Sequence, residues 1–181
     1  MVQPRPVDVV APGGLDHLDW ALRLLECGGP SLGRLLIVDE DHADGLEDLA
    51  RRDSRVVLLR RAAGSTWADR VAPALAARRG DVVLLAPGAL PTPGWIEPLA
   101  RAAHAAERVA LVAPLSDGDG FDRPEGIGED GLAAAVAGLP DAIEIHRAGL
   151  AANYLRGDVL DAVGPPDAAI ADPREAMDDW L

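Results

Sequence analysis

The sequence predicts an α/β domain with a mostly parallel sheet and helices on both faces. Short runs at 7–11, 35–38, 56–59, 82–85 and 109–112 are apolar at nearly every position, as in strands covered on both sides. Segments with helical spacing of apolar residues lie between most of them, the alternation that builds a parallel sheet by right-handed crossovers. The 181 residues, 49% of them hydrophobic, suffice for one domain with a real core.

Taken in order, the first strand ends at Pro12-Gly13-Gly14, and Leu15, Leu18, Leu22 and Leu25 recur at helical spacing until Cys27-Gly28-Gly29-Pro30 stops them. The second strand, 35–38, runs into the acidic turn Asp39-Glu40-Asp41 and a short helix over 46–51. After the third strand, 56–59, Thr66 and Asp69 have capping-box spacing, and Trp67, Val71 and Leu75 form the next buried stripe. Pro73 removes a donor from that helix and is expected to bend it or delay its start. The fourth strand, 82–85, leads through a turn to Thr92 as N-cap and Pro93 at the first position of a helix expected to reach 106. Beyond the fifth strand come a Gly-, Asp- and Pro-rich segment, a helix near 132–137, an apolar stretch at 148–155, a helix over 158–163 and an acidic tail ending in Trp180-Leu181. The expected organisation is a single domain over 1–181. It has a nucleotide-binding-like half at 1–113, a mobile acidic loop at 114–131 and a truncated acceptor-side half at 132–181.

Composition narrows the function. A formal charge of −13 disfavours nucleic acid and anionic membrane surfaces. No apolar run approaches the roughly 20 residues of a membrane span, and no export signal is visible, so a cytoplasmic protein without membrane insertion is expected. Every basic residue is Arg, which excludes Schiff-base chemistry and a P-loop lysine. A lone Cys27 excludes an internal disulfide and a cysteine zinc cluster.

Several stretches together resemble the GT-A domain of family-2 glycosyltransferases: VDVVAPGG, LLIVDED, the run from VVLLRRAAGSTWADRV through GDVVLLAPGALPTPGW, then ALVAPLSD and LRGDVLDAVGPPD. The resemblance is diffuse but covers nearly the whole chain. It implies a nucleotide-binding role for Pro12 and Gly14 in the first turn, for Asp39 after the second strand, for Arg60 after the third and for Gly88 after the fourth.

The same resemblance exposes departures. In that family the turn after the fourth strand carries an Asp-x-Asp, and here its positions are Ala86, Pro87 and Gly88. A divalent cation bridging a diphosphate needs hard oxygen ligands, so manganese or magnesium is not expected as a cofactor, and no metal site is assigned. Asn positions of the family fall on Gly14 and Ala72, and the paired acids of its late motif fall on Ala176 and Met177. A slip of one or two residues would make Asp178 and Asp179 the acidic pair, either of which could deprotonate an acceptor hydroxyl.

The expected function is therefore a family-2-like pseudoenzyme serving as a non-catalytic binding or auxiliary subunit in glycosylation. Its expected partners are a nucleotide sugar and an active glycosyltransferase or other pathway protein. An active, metal-independent glycosyltransferase and a structural scaffold without a ligand are the alternatives. Arg60 and Arg61 together are candidates to meet a diphosphate. Trp20, Trp67 and Trp95 read as core, whereas Trp180 has no assigned place. His42 lacks a partner histidine at ligand spacing, and the acids between 117 and 130 lack calcium-loop spacing.

Overall fold

Alternating side chains sort the central strands into two cores. Val9, Ala11, Leu35, Ile37, Val83 and Leu85 face one side of the sheet. Val10, Leu36, Val38, Val82 and Leu84 face the other. The structure, a computed structural model, describes residues 6–12, 17–39, 45–62, 64–114, 151–170 and 172–180. The acidic segment at 115–131 and the expected helix at 132–137 lie outside them.

Strands β1 (Val7–Pro12), β2 (Leu32–Asp39), β3 (Val56–Arg60), β4 (Val82–Leu85), β5 (Leu111–Val112) and β6 (Ala152–Leu155) form one sheet in the order β3-β2-β1-β4-β6-β5. The pairings β1 with β2, β1 with β4 and β2 with β3 are parallel. Strand β6 runs antiparallel to both β4 and β5. The sheet is thus mixed, because an apolar run reads the same whichever way its strand points.

Helices α1 (His17–Gly28), α2 (Leu46–Arg52) and α4 (Ile96–Ala103) cover the first core through Trp20, Leu24, Leu46, Ile96 and Leu99. Helices α3 (Trp67–Ala77), α5 (Gly157–Val163) and α6 (Pro173–Trp180) cover the second through Val71, Leu75, Leu160, Met177 and Trp180. The layered α/β architecture follows from covering both apolar faces.

The Thr66–Asp69 capping box forms as its spacing predicts, with Asp69 N–H donating to Thr66 Oγ1 at 3.1 Å and Thr66 N–H to Asp69 Oδ2 at 3.2 Å. Pro73 sits inside α3 without delaying its start. Helix α4 differs from expectation: it begins at Ile96 and ends at Ala103, and Thr92 does not cap it. Gly94 explains the late start, since its φ of 75° lies outside the helical region and its N–H is drawn to the Cys27 carbonyl at 2.9 Å. The acidic tail is helical, and Trp180 is buried with its ring edge-on to Trp67 at 6.4 Å. Its Nε1–H donates to the Gly164 carbonyl at 2.7 Å.

The amino ends of the central strands are fastened by two acids, Asp8 buried and Asp81 partly buried. Asp8, 3% exposed, accepts from Arg34 N–H at 3.1 Å, Arg34 Nη2 at 2.5 Å and Arg79 N–H at 2.9 Å. Asp81 accepts from Gly157 N–H at 2.8 Å and from the Tyr154 hydroxyl at 2.7 Å. Among the described residues no helix is long and apolar enough to cross a membrane.

Candidate functional site

In open α/β sheets ligands bind beyond the carboxyl ends of the strands, where the strand order reverses. Here the chain steps outward from β1 to β2 and β3, then returns to place β4 on the other side of β1. The reversal lies between β1 and β4, and Pro12 and Ala86 stand at its mouth. Pro12 is buried as the last residue of β1, in register with Val38. Gly14 lies outside the described residues, as do Glu40, Asp41 and His42.

The turn after β4 is held from behind. Ala89 N–H donates to the Ala86 carbonyl at 3.1 Å, and Trp20 Nε1–H from α1 donates to the Ala89 carbonyl at 2.6 Å. Ala86 N–H reaches the Ala151 carbonyl at 3.0 Å, tying the turn to the start of β6. Gly88 takes φ 79° at the tip, a conformation suited to glycine. A Cβ there would meet nothing within 4 Å, and Leu90 is 64% exposed. The space beside Gly88 is open, with Leu90 turned to solvent rather than packed into it.

Asp39 closes β2 with its carboxylate buried, at 1% side-chain exposure. Its register partner is Arg60, whose Nη1 lies 3.2 Å from Asp39 Oδ2. Arg60 Nη2 also pairs with Glu47 near the start of α2. The parallel register thus gathers a carboxylate, a guanidinium and a second carboxylate at the carboxyl ends of β2 and β3. Both carboxylates pair with the arginine to which the resemblance gives a nucleotide-binding role.

Arg60 and Arg61 do not converge. Consecutive residues of an extended chain point to opposite faces: Arg60 turns toward α2, and Arg61 lines a groove beside α3. Asp178 and Asp179 stand on the exposed side of α6, whose other side packs against the second core through Met177 and Trp180. The Gly88 turn is held by α1, on the opposite face of the sheet from α6. Ala72 also lines the groove beside α3.

Sequence reasoning missed the polar cluster at the other end of β4. Burial pushes the Asp81 carboxyl up, but the Gly157 N–H, then His104 and Tyr154, outweigh it and hold it below the usual carboxylate range. His104 Nε2 lies 2.6 Å from Asp81 Oδ2. Burial and the Asp81 charge both push the Tyr154 hydroxyl far above the usual phenol range. The only signal in the sequence was the Gly80-Asp81 step, whose spacing carries no hint of a tyrosine more than seventy residues away. The cluster joins β4, α4, β6 and α5, and its contacts fasten the fold at the end remote from the Gly88 turn.

Among the described residues no three His, Cys, Asp or Glu side chains come together in a way that would hold a metal ion. No protein-family model matches the sequence, and neither does any curated protein.

Proposed function

We propose that this chain is a family-2-like GT-A domain that has lost metal-dependent sugar transfer and acts as a non-catalytic binding or auxiliary subunit in glycosylation. The observation that carries the reading is the pairing of an open turn at Gly88 with the absence of any side-chain oxygen on Ala86, Pro87 and Gly88. A diphosphate there would meet no bridging cation, and its repulsion by a chain of charge −13 would go uncompensated. Arg60, already paired with Asp39 and Glu47, supplies little net positive charge. The tip of the turn is unobstructed, while the electrostatics needed to stabilise a leaving diphosphate are lacking.

Titration calorimetry with UDP- and GDP-sugars, with and without manganese, combined with an assay for nucleoside diphosphate release, tests this. The expected result is binding indifferent to manganese with no release, together with co-purification of an active glycosyltransferase from the native host. Many-fold tighter binding with manganese, or steady release in its absence, would overturn the loss of catalysis. Absence of any nucleotide binding and of any partner would assign the domain to a scaffold.

A further inference from the structure

On the face of the sheet opposite Trp20, a groove of about 750 Å³ runs along α3, within the range of ligand sites. Ala72, Pro73, Leu75 and Ala76 floor it, and Leu160 and Pro165 wall it. It extends from Ser65 to Arg78, which at 1.5 Å per helical residue is roughly 20 Å. We propose that this groove is a docking site for an extended peptide segment of a partner protein, apolar along its length and carrying a carboxylate at one end.

Charge decides the acidic end. Of the acids at the groove, Asp161 is ion-paired with Arg78, and the Asp69 carboxylate is turned back onto the Thr66 cap, where it accepts from neutral groups and keeps its charge. Arg78 is committed in turn, to Asp161 and to the Leu75 carbonyl at 2.8 Å. Among the described residues the Arg61 guanidinium has no partner, and it stands exposed at the Ser65 end. The Ser65 end of the groove thus offers an unpaired guanidinium, a cation that matches carboxylate geometry.

Pro73 decides for a peptide over a hydrocarbon chain. Having no N–H, it leaves the Asp69 carbonyl without its helix donor, and both residues line the groove. A hydrocarbon would cover that acceptor dry at a cost, whereas a peptide N–H satisfies it. Roughly 20 Å accommodates about six extended residues. The inference stands apart from the nucleotide site: it holds whether or not the Gly88 turn binds a sugar nucleotide.

Selection of a displayed random decapeptide library on the intact chain tests it, with binding of the enriched peptides then measured to the wild type and to substituted chains. The expected result is enrichment of apolar sequences with Asp or Glu at one end. Affinity should fall about tenfold or more on Arg61→Gln, the scale of a lost hydrogen bond to a charge. It should also fall on Ala76→Trp, which fills the exposed floor, and stay unchanged on Leu22→Gln of the opposite face. Circular dichroism establishes that each variant is folded. Enrichment of neutral or basic peptides, or binding indifferent to both groove substitutions, would overturn the proposal. So would saturable laurate binding that depends on Arg61 with no peptide enriched, or sedimentation showing a second copy of the chain in the groove.

Discussion

The hydroxyl of Tyr154 donates to Asp81 Oδ2 at 2.7 Å, while Asp81 Oδ1 takes the Gly157 N–H at 2.8 Å. One carboxylate therefore binds β6 and the first turn of α5 to the start of β4. Tyr154 is the only tyrosine in the chain, so tyrosinate absorbance reports this contact alone. The folded hydroxyl is raised above the unfolded value of about 10. Its contribution to stability is then complete below about pH 10 and lost as pH climbs toward the folded value. Absorbance should stay flat through pH 10 and rise only as the chain unfolds, and Asp81→Asn should move the rise downward. An ordinary titration near pH 10 in the folded protein would contradict the contact. Asp81 has the opposite sign: its folded value is depressed, so its stabilisation is present above about pH 4 and vanishes as acid carries the pH through the folded value.

Gly157 is required for a different reason from the glycines of turns. A Cβ on it would lie 2.7 Å from the Gly80 carbonyl carbon and 2.8 Å from its oxygen. Both are backbone atoms beside Asp81, so neither can swing aside. Gly157→Ala should destabilise the fold by about 1–3 kcal/mol through forced backbone shifts, seen as a lower urea midpoint. An unchanged midpoint would mean that α5 can slide away from β4 at no cost.

Asp8 and Arg34 make the stronger clasp, because both are largely removed from water. Arg34→Ala removes the guanidinium and leaves a buried carboxylate with two backbone donors, the N–H groups of residues 34 and 79, which should cost about 3–5 kcal/mol. Replacing both partners, Asp8→Val with Arg34→Leu, should cost far less than the sum of the single changes, since no charge is then stranded. Urea denaturation of the four proteins gives the coupling directly, and simple additivity would show that the pair does not act as a unit.

The strands of the parallel half were legible because each is apolar throughout, and the capping box of α3 because its spacing is local. What failed was non-local or conformational. The direction of β6 is set by its pairing with Val82 and Leu85, and no pattern within 152–155 encodes it. The start of α4 turns on the positive φ of Gly94, which overrides the Thr-Pro signal two residues earlier. Trp180 could not be placed because its partners, Trp67 and the Gly164 carbonyl, are brought to it by tertiary packing. At the candidate site the sequence pointed to Asp39 and Arg60 separately, but only the β2–β3 register makes them partners. The Asp81 cluster escaped notice for the same reason.

The turn at Gly88 allows its proposed history to be tested by reversing it. Ala86→Asp with Gly88→Asp introduces carboxylates at the two positions where the family-2 enzymes that the sequence resembles hold a cation. The geometry leaves room, since a side chain at Gly88 meets nothing within 4 Å. The conformation resists, since φ is 79°, and placing a side chain there costs about 1–2 kcal/mol, less for Asp than for most residues. The double variant should therefore fold with a slightly lower urea midpoint. Because hard oxygen ligands now face the open turn, manganese should tighten its binding of a UDP- or GDP-sugar about tenfold or more, a change of roughly 1.4 kcal/mol. The parent chain should show no such dependence. A folded double variant that ignores manganese would show that this turn no longer presents its tip as a metal site does, and the proposed descent from a metal-binding turn would lose its main support.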